Sequence, residues 1–219
     1  MAALDRLSSA ARSDWRAVWA QLGDPTRAEV TQALRESWRG IIEQYGDMAA
    51  TLAADLFEDQ AEVMKLSATT KLADGIIPDQ ADSNLEYAAR QPNASGVIGI
   101  ALDRLVKQPF RRTFQESAWA SKAGWARVPT GPEPCQFCLM LASRGGVYHS
   151  QEIAKLGLTG HEYHGDCGCV PVLVRSPADY PTSYDPKGLY AVYNAAAEQV
   201  GNRFDTRAIL AQMRANANH

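Results

Sequence analysis

With 219 residues, 46% hydrophobic and 21% charged, the chain has ordinary globular composition, long enough for one large domain or a helical domain with an appended module; wholesale disorder is excluded. A formal net charge of −3 gives composition no general attraction to nucleic acid or an anionic membrane surface. No apolar run approaches the roughly 18–20 residues that span a bilayer, and Met1-Ala2-Ala3-Leu4-Asp5-Arg6 lacks the apolar core of a secretory signal, so the expected compartment is a reducing cytoplasm, where clustered cysteines are metal ligands or redox groups more often than disulfides.

Leu4, Leu7, Ala11, Trp15, Val18, Trp19 and Leu22 recur at three and four residues, the period of one helix face, and predict a first helix. Gly23-Asp24-Pro25 ends it and starts the next: Asp24 can cap a free amide, and Pro25 suits a first helical position that needs no donor. The stripe Val30, Leu34, Trp38, Ile41, Ile42, Tyr45, Met48, Leu52 and Leu56 predicts a long helix. Gly40 and Gly46 each cost about 1 kcal/mol against alanine inside it and allow a bend. From Leu66 to Ser95 the pattern weakens among Asp74-Gly75, Pro78 and Pro92-Asn93-Ala94-Ser95-Gly96, so a loop-rich connector is expected, with one short helix from Asp82 to Arg90.

A second strong stripe, Val97, Ile98, Ala101, Leu102, Leu105 and Val106, resumes after Pro109 with Phe110, Phe114, Ser117 and Ala118. Proline removes a helical hydrogen bond and crowds the preceding turn, which predicts a kink or break near Lys107. Between Asp103 and Arg127, six Lys/Arg stand against Asp103 and Glu116. This basic stretch, which runs from Arg104 to Arg127, reads first as a solvated helix face and second as a surface for DNA or an acidic partner. Further on, the segment from Ser176 to Pro186 reads as a turn-rich linker with no core of its own, and two short amphipathic helices, Leu189 to Val200 and Arg207 to Ala215, flank Gly201-Asn202.

The chemistry concentrates in between. All four cysteines fall in the pattern Cys135-x2-Cys138, a 25-residue gap, then His164-x2-Cys167-x-Cys169, and a strand-like run from Val170 to Val174 leaves it. Zinc takes four tetrahedral thiolate or imidazole ligands, and a Cys-x2-Cys knuckle places two sulfurs on one ion without strain. Five candidates, Cys135, Cys138, His164, Cys167 and Cys169, compete for four positions. If residues 167–169 are extended, Cys167 and Cys169 point the same way and His164 is spare; if the chain turns at Gly165 or Gly168, His164 can ligate and one cysteine is left out. Disulfides are the competing reading. A closed thiolate-rich set leaves no open position for a catalytic water, so the zinc is expected to be structural, and such sites contribute about 10–16 kcal/mol in small peptides. Ser143, His149 and Ser150, with Glu152 and Asp166, permit a Ser/His hydrolase on paper, but no nucleophile elbow orders them. Arg144-Gly145-Gly146 reads as a helix-ending turn in which a glycine takes the left-handed conformation.

Arg127-Val128-Pro129-Thr130-Gly131-Pro132, Cys135-Gln136-Phe137-Cys138, Leu141-Ala142-Ser143-Arg144-Gly145 and His164-Gly165-Asp166-Cys167-Gly168-Cys169-Val170-Pro171-Val172, taken in order, resemble the Mu F-like minor head proteins of tailed bacteriophages, the actinobacterial phage and prophage type above all. The match covers about residues 127 to 174, and this chain has Gly168 where such modules often carry Arg or Lys. The resemblance implies a minor capsid protein of the phage head, assembled in the bacterial host cytoplasm. It would act in head assembly or in DNA packaging and ejection, with the portal protein or the major capsid protein as partner and a homo-oligomer possible. Related sequences are also called capsid maturation proteases, which keeps Ser143 or Ser150 with His149 as an alternative; a DNA-binding module on the basic stretch is the weaker one. The expected fold is mainly α: a long-helix domain over 1–126, a zinc-stapled α+β module over 127–175 holding structural Zn2+, and linker with short helices over 176–219.

Overall fold

The computed structural model describes residues 2–22, 34–130, 134–146 and 168–217. The chain is mainly helical, and the described residues divide into two compact units at Ser121 and Lys122.

The first unit holds α1 (Ala2–Leu22), α2 (Arg35–Val63), α3 (Pro78–Ala88) and α4 (Ala94–Ala120). The two apolar stripes meet: α2 lies along α4, and α1 and α3 each pack on both. Trp15, Trp38, Ile42, Leu85, Ile98, Leu102 and Leu105 form the shared core. Trp15 meets Trp38 edge-on with ring centroids 5.1 Å apart, and the Trp38 indole N–H donates to the Ala81 carbonyl at 2.8 Å. Further along, Phe57 and Phe114 make a second edge-on pair at 5.5 Å. At the surface, Asp82 of α3 receives Arg35 at 3.0 Å and Arg39 at 2.5 Å. The hydrogen bond from Arg39 holds the Asp82 carboxyl below its ordinary range, burial opposing and the charges of Arg35 and Arg39 adding to the effect.

Three expectations change. Helix α4 runs through Pro109 without a break. Its buried flanks, Leu105, Val106, Phe110 and Phe114, hold the segment helical, and packing of this kind outweighs the roughly 3 kcal/mol that proline costs. Pro78, read as a breaker, opens α3 at its first turn, where no amide donor is required. Gly46 is a packing residue within a continuous α2: a Cβ there would overlap the Gly75 carbonyl, whereas a Cβ at Gly40 would have nothing within 4 Å.

The connector from Leu66 to Ile77 has neither helix nor strand, yet it is anchored. Thr113, Ser117 and Ser121 stand four residues apart and accept the amides of Ala73 at 3.0 Å, Lys71 at 2.8 Å and Thr69 at 2.8 Å. Asp47 on α2 accepts the Gly75 amide at 3.1 Å. A ladder of hydroxyls thus replaces the apolar stripe the connector lacks.

In the second unit, β1 (Trp125–Val128) pairs antiparallel with β2 (Val170–Leu173), Trp125 opposite Leu173 and Val128 opposite Val170. The strand-like run after Cys169 is therefore β2, while β1, with every residue buried and no polar alternation, is not visible in the sequence pattern. Helix α5 (Gln136–Ala142) packs on β1, and α6 (Pro186–Val200) and α7 (Thr206–Ala217) pack on α5. Met140 and Leu141 meet Ala196, Ala197, Ile209 and Met213 in this core. Gly201 ends α6 at φ 72°, the left-handed cap the Gly201-Asn202 break supplies.

The two glycines of α2 separate packing from propensity. Gly46→Ala should lower stability by about 1–3 kcal/mol through overpacking, and Gly40→Ala should raise it by about 0.5–1 kcal/mol through helix propensity; urea unfolding of both variants checks the opposite signs.

Candidate metal centre

Cys135 sits just before α5 in an extended conformation, φ −65° and ψ 154°, and its sulfur accepts the Cys138 amide at 3.3 Å. The knuckle is thus the N-terminal turn of a helix, with a donor amide aimed at the first sulfur, the kind of support that ligating thiolates use. Cys138 is buried one turn on, and Cys169 is buried at the entrance to β2. Because α5 packs on β1 and β1 pairs with β2, the three described cysteines lie on adjoining elements of one unit. Thiolates of this set suit zinc by chemistry. His164 and Cys167 lie outside the described residues, and among the described residues no group of three or more His, Cys, Asp or Glu gathers to hold a metal.

Gly168 acquires a reason of its own. A Cβ there would stand 2.7 Å from the Thr130 carbonyl oxygen, and the Thr130 hydroxyl donates back to the Gly168 carbonyl. The segment entering β2 therefore runs against the one leaving β1, and only a bare backbone fits.

The far end of α5 is fixed by the segment read as a linker. The Tyr184 hydroxyl donates to the Ala142 carbonyl at 2.5 Å, the Tyr180 hydroxyl accepts the Gly146 amide at 3.0 Å, and the two rings stand edge-on at 5.1 Å. Gly145, at φ 68°, makes the turn between them, as the Arg144-Gly145-Gly146 reading expects. Upstream, Ser176 and Asp179 close a capping box over a short 3-10 turn (Pro177–Asp179). Backbone amides of Arg175 and Ser176 hold the Asp179 carboxyl below its ordinary range. Nothing in the residue pattern announces this strap except two tyrosines four apart in a proline-rich stretch.

The Ser143 hydroxyl, a candidate nucleophile, donates to the Met140 carbonyl at 2.7 Å and is buried at the end of α5. It serves as a helix-end hydroxyl. His149, Ser150, Glu152 and Asp166 lie outside the described residues.

The basic stretch is not a cationic face. Arg111 and Arg127 are 2% and 0% exposed, Lys107 is paired with Asp5 and Asp103 at 3.2 Å each, and Arg104 donates to Asn84 at 2.6 Å. Arg112 lies 3.6 Å from Glu116, which leaves Lys122 as the exposed member. Among the described helices none is long and apolar enough to cross a membrane.

A family model described as VG15 protein matches residues 1–196, reaching from α1 into α6. The Gene 15 protein of Mycobacterium phage L5 is 28% identical over 141 residues, covering 47% of this chain and 48% of that protein. The chain thus spans about half the length of this curated relative. No solved structure matches.

The Gly168 contact is testable by itself. Gly168→Ala should cost about 1–3 kcal/mol through overpacking, and faster hydrogen exchange confined to β1 and β2, with α1 to α4 unchanged, checks it.

Proposed function

The chain belongs to the VG15 protein family, a phage protein family, and from that premise we propose that it is a minor capsid protein of the Mu F-like kind, a structural part of the phage head. It acts in head assembly or in DNA packaging and ejection, docked to the portal protein or to the major capsid protein. The observation that carries this reading is α5. Met140 and Leu141, the second opening the family-like turn Leu141 to Gly145, bury this short helix in a core with Ala196, Ala197, Ile209 and Met213. Residues arranged to build a core support a scaffold role better than a reaction. Exposed apolar side chains on the first unit, Val63, Leu72 and Tyr87 among them, suit docking to other head proteins.

In this reading Zn2+ is a structural staple held by four of Cys135, Cys138, His164, Cys167 and Cys169. Its chemistry is folding: it ties the knuckle on α5 to the chain entering β2. The protease alternative loses support from the Ser143 hydroxyl, already given to a helix carbonyl, and the DNA-binding alternative from the burial of Arg111 and Arg127.

Three measurements test the proposal. Heads purified from infected or induced cells should contain the chain in low copy relative to major capsid protein, and Ser143→Ala should leave capsid processing unchanged; finding the chain only in the head-free fraction overturns the assembly role. Protein purified without added zinc should carry about one equivalent and lose it in Cys135→Ser, and less than about half an equivalent in the parent removes the zinc.

A further inference from the structure

Beside the far end of α5, the strap from Pro177 to Pro186 and the first turns of α6 border a groove of ≈ 600 Å³ that lies wholly within the second unit. Tyr180, Tyr184 and Tyr190 line it, together with Pro177, Pro181 and Pro186. Tyr190 is 51% exposed, a large aromatic side chain left at the surface of α6. Its ring is steadied by Tyr193, with centroids 6.2 Å apart, and its hydroxyl has no hydrogen-bond partner among the described residues.

The walls are set before any ligand arrives. The hydroxyls of Tyr180 and Tyr184 are tied to the Gly146 amide and the Ala142 carbonyl. A Cβ at Gly145 would stand 2.7 Å from the Tyr180 hydroxyl oxygen, so a bare turn is what lets that ring seat. Asp185 closes the start of α6: its carboxylate accepts the Lys187 amide and its carbonyl the Leu189 amide, each at 3.1 Å. The prolines fix their own φ angles. A surface held in this way loses little conformational freedom when something docks on it.

The lining chemistry selects the occupant. Pro177, Pro181 and Pro186 have no amide to give, so this wall is a poor template for a paired strand. Tyrosine rings beside prolines instead suit a chain in the polyproline II conformation, which has no internal hydrogen bonds and offers its carbonyls to side-chain donors. Such donors are present, since the hydroxyls of Thr182 and Tyr190 are unbonded among the described residues. Arg144 and Lys187 line the groove without an ion-pair partner among the described residues, and the carboxylate beside them, Asp185, is already bonded to the Lys187 amide. The rim therefore favours acidic side chains next to the prolines and repels basic ones.

We propose that this groove docks a proline-rich, acidic segment of a partner protein, held extended against Tyr180 and Tyr190 with its carboxylates toward Arg144 and Lys187. Tyr190 is the anchor, because it combines a large exposed ring with an unused hydroxyl. The docking needs neither the zinc nor a place in the phage head, and its test stands whether or not those readings do.

The full chain is titrated calorimetrically with a capped oligoproline flanked by glutamates, with the same peptide flanked by lysines, and with a glutamate-flanked oligoalanine. Saturable binding of the first with a Kd of about 1 mM or tighter is expected, and binding of the other two weaker by about tenfold or more. Tyr190→Ala, at an exposed helical position where alanine is well tolerated, should weaken the first about tenfold while the amide spectrum of the rest of the chain is unchanged. Arg144→Gln combined with Lys187→Gln should erase the preference for glutamate over lysine. No saturation by the glutamate-flanked oligoproline, equal binding of either control peptide, or a Tyr190→Ala affinity within about twofold of the parent overturns the proposal. Tighter binding of an oligothymidine at the same salt concentration also overturns it, in favour of a single-stranded nucleic acid.

Discussion

A buried polar group keeps its place only where something bonds it, and α4 concentrates that constraint. Asp103, Arg111, Thr113, Gln115 and Ser117 are all buried along it. Asp103 is met by Ser8, Arg12 and Lys107, which fixes α1 against the first half of α4. Thr113 and Ser117 accept connector amides and so fix the chain between α2 and α3 against the second half. Apolar contact holds the helices together; these polar contacts decide which residue lies against which.

The helices were legible because their apolar residues recur at the helical period, and the expected C-terminal pair differs from α6 and α7 only at the ends. What escaped were features set by partners distant in sequence. Gly46 looks like a weak point in a helix until Gly75 is known to lie against it. Arg111 and Arg127 count as surface charge in any tally of composition, yet both are interior. Trp125-Ala126-Arg127-Val128 carries no alternation because both its faces are covered, and such a strand cannot be told from its flanks by pattern. The local turn at Cys135 was legible for a different reason: a Cys-x2-Cys spacing is the spacing of one helical turn, so its geometry is contained in four residues.

Within the second unit, α5 is too short to be stable alone. It is held at one end by the turn Cys135 makes and at the other by Tyr180 and Tyr184, and its apolar side rests on α6 and α7. The family-like residues are therefore parts of one construction. Gly168 is fixed beside the two strands, since Thr130 occupies the space a side chain would need.

The pairing of β1 with β2 joins residues 125–128 to 170–173, and the core over α5 closes only with Ala196, Ala197, Ile209 and Met213. On a ribosome α1 to α4 have all been made once Ser121 has emerged, whereas Cys135 and Cys138 are made well before the helices that pack on α5. At roughly 5–20 residues per second that interval lasts several seconds. During it α5 exists without α6 and α7, so the core of the second unit cannot close until its last helix has been made.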